Sequence, residues 1–132
     1  MSVISEVPEG EYSVEIVDIQ SFIDHRGRKV LMWMLELMDS PFVGSVLPKK
    51  YYVVNQEVVT LLKRELRAIR VEANNAQELE AKKADAIGTR FRLKALTNDQ
   101  GFRVYYVKEY LGKRDKPKEP PAAAAAAAAV GW

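Results

Sequence analysis

Apolar residues recur along this chain at two periods, and the clearest switch between them falls after Val54. Val46 to Val54 is rich in β-branched and aromatic residues, which suits a strand. Asn55 breaks the pattern and is a good helix cap, because its side-chain oxygen can accept from a free N–H of the first turn. From Val58 the spacing becomes helical. Val58, Leu62, Leu66 and Ile69 make a stripe with Val59 and Leu61 beside it, and Lys63, Arg64, Arg67 and Arg70 fall largely outside it.

Period-two alternation marks the other strands. Val7-Pro8-Glu9-Gly10 is a turn signal, and Glu11 to Ile19 follows as the first strand. Tyr12, Val14 and Ile16 share one face, then Val17 and Ile19 take the opposite parity; one extra residue in a bulge does that. Asp24 to Lys29 is a charged loop around Gly27. Val30 to Met38 is the second strand, apolar on both faces except at Glu36, so either both faces are covered or one is open to a ligand. Asp39 to Ser45 is a turn. Asn75 and Glu78 resemble a capping box for a short helix from Ala76 to Ala86, ended by Gly88. Thr89 to Leu96 and Phe102 to Tyr110 are the fourth and fifth strands around a hairpin loop at 97–101. Five short strands with a helix between the third and fourth make an all-β chain with one or two helices, laid out as an OB-fold, a five-stranded, partly open β-barrel. The expected domain is 1–112. Residues 113–132, Lys- and Pro-rich and then a run of eight alanines before Val130-Gly131-Trp132, read as a flexible tail.

Composition adds exclusions. At 132 residues one domain is expected, large enough for a core without staples. With no cysteine there are no disulfides and no thiolate metal sites. Met1 to Glu6 has neither the basic region nor the apolar run of a secretory signal, and no stretch is apolar enough to span a bilayer, so the chain reads as soluble and cytoplasmic. The net charge is +2, and residues 1–112 hold 16 Lys/Arg against 16 Asp/Glu, so no strongly basic domain points to a polyanion. The lone histidine, His25, sits in a charged loop and reads as solvated. There is no Gly-x-x-x-x-Gly-Lys-Ser/Thr, no Gly-x-Ser-x-Gly and no His/Asp/Glu cluster at metal spacing. The expectation is a non-enzyme without a cofactor.

Strand positions that mix cations with aromatics are more informative. Arg90, Arg92 and Lys94 share a face of the fourth strand. Lys49, Tyr51 and Val53 alternate with Lys50, Tyr52 and Val54 in the third, and Phe102, Val104 and Tyr106 with Arg103, Tyr105 and Val107 in the fifth. Cations beside flat rings suit single-stranded nucleic acid, the cations following phosphates and the rings stacking on splayed bases. Phosphate contacts are expected from Arg28, Lys29, Lys49, Lys50, Arg90, Arg92, Lys94 and Arg103, and stacking from Trp33, Tyr51, Tyr52, Phe102 and Tyr105. Alternation turns one tyrosine of each adjacent pair inward, so about half of them are core. A plain solvated face, with Arg90, Arg92 and Lys94 paired to Glu11 and Glu15, is the competing reading.

Val7-Pro8-Glu9-Gly10-Glu11-Tyr12-Ser13-Val14-Glu15-Ile16 and Gly27-Arg28-Lys29-Val30-Leu31-Met32-Trp33 resemble the start of phage-encoded OB-fold single-stranded-DNA-binding proteins. Gly44, Leu61-Leu62-Lys63, Gly88 and the closing Val107-Lys108-Glu109-Tyr110 are similar landmarks. The resemblance spans roughly 7–112. It implies a barrel that coats single-stranded DNA in phage replication or recombination, without a cofactor, in the host cytoplasm. Expected partners are single-stranded DNA, then RNA, replication or recombination proteins and further copies of the chain; no membrane is expected. The tail departs from bacterial relatives of this type, whose ends are acidic with an aromatic tip, since here a basic, Ala-rich approach leads to Trp132. Two rivals stand beside this reading: an OB-fold adaptor that docks a protein through its second strand, and a small nuclease with a carboxylate site.

Overall fold

The structure is a computed structural model that describes residues 3–39 and 41–113; the expected tail lies almost wholly outside them. The elements in chain order are β1 (Gly10–Ile23), β2 (Lys29–Leu37), β3 (Val46–Tyr52), α1 (Gln56–Ala68), α2 (Ala76–Ala81), α3 (Lys83–Ala86), β4 (Thr89–Thr97) and β5 (Arg103–Lys113). The strands form one antiparallel sheet in the order β3-β2-β1-β4-β5, with α1 inserted between β3 and β4. This is an all-β, OB-like arrangement.

Local chemistry explains each element. The register of β1 against β2 slips between Ile16 and Asp18, which makes Val17 the extra residue of a bulge. A bulge bends the strand and sharpens its twist, so β1, at 14 residues the longest strand, can pair with β4 through Gly10–Glu15 and with β2 as far as Ile23. β1 runs past its expected end at Ile19 through Gln20, Ser21, Phe22 and Ile23. Asn55 caps α1 by accepting from the Val58 N–H at 3.0 Å. The helix ends with Arg70 in the left-handed region (φ 64), where the Val71 N–H reaches the Leu66 carbonyl at 2.9 Å. Arg70 stands where glycine is usual, and its guanidinium lies 4.7 Å over the Tyr110 ring.

The second helix of the sequence reading divides at Lys82 into α2 and α3. Asn75 caps α2 by accepting from Glu78 N at 2.8 Å, while the Glu78 carboxylate takes the Asn74 N–H at 2.5 Å. Lys82 turns its ammonium to the Glu72 carbonyl at 2.6 Å. Lys83 is then buried and paired with Asp18 at 3.0 Å, which fastens α3 beside the β1 bulge.

The core lies between the sheet and α1. Val14, Ile16, Trp33, Leu35, Leu62, Leu66, Phe91 and Leu93 are fully buried within it. Trp33 is its centre, with Tyr51 at 5.2 Å and Phe91 at 6.0 Å edge-on. Such ring pairs contribute about 0.5–1.5 kcal/mol beyond the area they bury.

β3 and β5 are the two edges of this sheet, and a set of side chains joins them. Glu65 of α1 pairs with Lys49 at 3.1 Å, accepts from the Tyr51 hydroxyl, and accepts from the Val107 N–H at 2.7 Å. Lys49 also donates to the Tyr105 carbonyl at 2.6 Å. One carboxylate therefore touches both edges. Burial pulls the Lys49 ammonium below its ordinary pKa, against the attraction of Glu65. Burial, and then the Glu65 charge, push the Tyr51 phenol well above its own.

Two outcomes are expected. Glu65→Ala leaves a buried ammonium without its counter-charge, and breaking a buried pair on one side costs about 3–5 kcal/mol; urea denaturation followed by circular dichroism reads this, and a loss below about 1 kcal/mol would show that the edges hold without it. The second outcome concerns alkaline pH. A phenol whose pKa is higher folded than unfolded contributes stability that is full below the ordinary value of 10.0 and falls away above it. Lys49 acts in the opposite sense, but only up to its ordinary 10.5. Tyr51→Phe should therefore flatten the fall in melting temperature above about pH 10.5, and an unchanged alkaline limb would contradict that assignment.

Candidate nucleic-acid interface

β2 and β3 set the candidate surface, because their register decides which side chains face out. Leu31 lies opposite Tyr51, Trp33 opposite Lys49 and Leu35 opposite Leu47, all on the core side. The alternate pairs, Val30 with Tyr52, Met32 with Lys50 and Met34 with Pro48, share the outer face. β1 adds Gln20 beside Met32 and Phe22 beside Val30. Val30 is buried, Met32 and Met34 are half-buried, and Phe22 and Tyr52 are exposed. The second strand is thus apolar on both faces for two reasons: one face is core, and the other carries half-buried methionines next to the Asp18–Lys83 pair.

The loop between β1 and β2 places cations on this surface. The Asp24 carboxylate accepts from the Arg26 and Arg28 N–H groups at 2.9 and 2.8 Å, and Gly27 makes the turn with φ 77. A further bond from the Arg28 side chain, at 2.8 Å, aims the guanidinium. Partial burial raises the Asp24 pKa, but the bonds from Arg28 and Arg26 outweigh it and hold the carboxyl below its ordinary value. So fixed, Arg28 lies 4.5 Å over the Tyr52 ring. Lys29 and Lys50 are exposed and form no ion pair with any described residue.

The cations of β4 stand in a different setting. Arg90 pairs with the buried Glu15 at 2.9 Å. Arg92 lies opposite Ser13 and Glu109, and Lys94 opposite Glu11. The Lys108 ammonium bonds Glu11 at 2.6 Å and, with the charges of Arg92 and Lys94, lowers its pKa. Carboxylates lie among these cations, but of the pairings the competing reading expects only Arg90 with Glu15 is an ion pair among the described residues. Arg103 is also engaged: it donates to Thr97 Oγ1 at 2.8 Å and stands 3.9 Å from Glu6 and from Glu9.

Three expected contacts are corrected by burial. Trp33 is 0% exposed at the core centre, and Tyr51 and Lys49 are spent on Glu65, so none of the three presents a ring or a charge on the surface. Tyr105 is half-buried, and its hydroxyl accepts from the Val7 N–H at 3.4 Å. Phe102 is 65% exposed at the hairpin loop, where Asn98 Oδ1 accepts from the Gln100 and Phe102 N–H groups. Phe22, Met32, Met34 and Tyr106 were missed. For the methionines the signal was the double apolar face of the second strand. Glu65 was missed as well, although an acid three residues after Leu62 and four before Ile69 sits inside the apolar stripe of α1.

The gap between β3 and β5 is a groove of about 550 Å³. Lys50 and Tyr52 line it from β3, Val58 and Leu61 from α1, and Val104 and Tyr106 from β5. His25 is exposed in its loop. Among the described residues no group of three or more His, Cys, Asp or Glu is placed to hold a metal ion, and no helix is long and apolar enough to cross a membrane. No protein-family model matches the chain, and a search of curated proteins finds no match either.

The burial of Trp33 has a direct readout. In Trp132→Phe protein Trp33 is the single tryptophan. Its emission should be blue-shifted, shielded from acrylamide and indifferent to added oligonucleotide; quenching by either would place the ring at the surface.

Proposed function

We propose that this protein binds single-stranded DNA with little sequence preference, as a coating protein in replication or recombination of the phage type, and that it is not an enzyme. The carrying observation is the outer face of β2 and β3. There Arg28 stacks on Tyr52 beside Lys50, next to half-buried Met32 and Met34, with Glu36 further along β2 and no carboxylate among the outer-face residues of β3. The cations suit phosphates, the ring suits a base, and thioethers adapt to any base. In OB-folds oligonucleotides bind on the second and third strands and the flanking loops. Phe102, exposed on the hairpin loop, fits the other end of such a track. The balanced β4 face is the weaker half of the site. The half-exposed methionines of β2 also support a second reading, a protein-docking adaptor; a stable complex with a replication or recombination protein in the absence of DNA would favour it.

The test is fluorescence anisotropy of a labelled thymidine oligonucleotide of about 20–30 nucleotides, longer than one OB footprint, at low and moderate salt. Duplex DNA and single-stranded RNA serve as competitors. Salt-sensitive binding that duplex competes for poorly is expected; no binding at low salt would reject the proposal. Replacing Lys29 and Lys50 together with alanine should weaken binding for all sequences and reduce the salt slope by about 1.4, since each phosphate contact on a single strand contributes about 0.7. The same change at Arg92 and Lys94, whose charge is partly spent on Glu11, should move the slope less.

A further inference from the structure

The groove between β3 and β5 lies beside the outer face of β2 and β3 and shares Lys50 and Tyr52 with it. Its occupant can be argued from what the two strand edges still offer. The Val53 N–H bonds the Lys29 carbonyl at 2.8 Å, and the Leu37 N–H bonds the Ser45 carbonyl at 2.8 Å. Odd-numbered residues of β3 therefore pair with β2, and even-numbered ones turn their backbone groups to the free edge. Along that edge the Val46 carbonyl is taken by the Ile4 N–H at 2.9 Å, Pro48 has no N–H, and the Tyr52 carbonyl is taken by the Val54 N–H at 2.9 Å. Across the gap, Lys49 takes the Tyr105 carbonyl and Glu65 takes the Val107 N–H. An added peptide strand pairs through a continuous row of free edge groups, and among Val46, Pro48, Lys50 and Tyr52 only Lys50 keeps both its N–H and its carbonyl free of a described partner. Recognition here falls to side chains.

Those side chains are of one chemistry. Tyr52 on one side is 37% exposed, with Arg28 over one face of its ring. Tyr106 on the other side is 41% exposed. Val58 and Leu61 supply apolar walls, and Lys50 supplies a charge with no carboxylate bound to it among the described residues. A volume near 550 Å³ is that of a small-molecule site, about 300–1,000 Å³. Flat apolar faces beside an uncompensated cation match a base with its phosphate.

We propose that this seam takes an unstacked base of the bound strand, with Tyr106 as a stacking residue and Lys50 on the adjoining phosphate. The inference rests on the single-strand reading and adds a subsite to it. The strand turns off the sheet at Tyr52 and sends a base into the seam.

The experiment compares a thymidine oligonucleotide with one of equal length made of abasic sites, both by anisotropy. Wild-type protein should prefer the thymidine strand. Tyr106→Ala should lower affinity for thymidine about tenfold, within the range of one lost stacking contact. It should leave abasic binding and the salt slope unchanged, since the ring carries no charge, and Tyr106→Phe should bind as wild type. Ultraviolet crosslinking of wild-type protein to 5-iododeoxyuridine oligonucleotides, mapped by mass spectrometry, should label Tyr106. An alanine variant that binds thymidine as wild type, an equal loss on both strands, or crosslinks confined to the outer face of β2 and β3 would overturn the subsite while the single-strand reading stands. Absence of wild-type binding at low salt would overturn both.

Discussion

A sheet with two edges needs something to hold those edges at a fixed distance, and here it is the Glu65 carboxylate. One oxygen meets Lys49 and Tyr51 of β3, and the other meets the Val107 N–H of β5. A buried ion pair alone is a poor source of stability, because taking both charges out of water offsets much of their attraction. This pair is embedded in further hydrogen bonds from Tyr51 and to the Tyr105 carbonyl, which satisfy groups that burial would otherwise strand. What the cluster secures is geometry. Direct strand pairing would bring the edges to about 5 Å, whereas side chains reaching from α1 hold them further apart. The seam groove is a consequence of that choice.

The same constraint sorts the rest of the molecule. With Lys49 and Tyr51 drawn inward, Lys50 and Tyr52 must face out. Arg28, held by Asp24, then finds the Tyr52 ring. On the opposite half of the sheet Glu11, Glu15 and Glu109 lie among Arg90, Arg92, Lys94 and Lys108. Cations are present on both halves, but among the described residues those of β4 stand opposite carboxylates of β1 and β5, whereas no carboxylate lies among the outer-face residues of β3. A count of cations gives three each to β4 and β5 and two to β3, and it is a look at their neighbours that draws attention to β3.

Much of the fold was legible because its signals are local. Asn55 and Asn75 both cap helices, the bulge falls at Val17 where parity slips, and strand order follows from five short strands around one helix. The site was less legible because β3 offers a tie. Lys49, Tyr51 and Val53 match Lys50, Tyr52 and Val54 almost residue for residue, so no periodicity says which set is inside. The tie is broken by long-range pairing: Trp33 opposite Lys49 faces the core, and the acid that receives Lys49 comes from α1. Lys83 and Asp18 pose the same difficulty, since each looks solvent-bound until the bulge and the break at Lys82 bring them together. A buried charge pair is a property of two distant segments and leaves no period in either.

Charge balance sets the character of the binding that the proposed site can support. Residues 1–112 carry 16 cations and 16 anions, so no strong net field of the domain draws a polyanion from a distance. Among the described residues, Lys50 is the outer-face cation of β3 without an ion pair, and Arg28 beside it is paired with Asp24. Counterion release scales with the phosphates neutralised, so this term is small compared with that of a basic groove. The remainder has to come from contacts that desolvate bases. Tyr52, Tyr106, Phe102 and the two methionines are the exposed or half-exposed groups able to supply it. On the proposed reading, such a surface would hold a single strand through its unpaired bases and gain little from a duplex, whose bases are stacked away. The proposed preference for single strands thus rests on the shortage of free cations as much as on the presence of the rings.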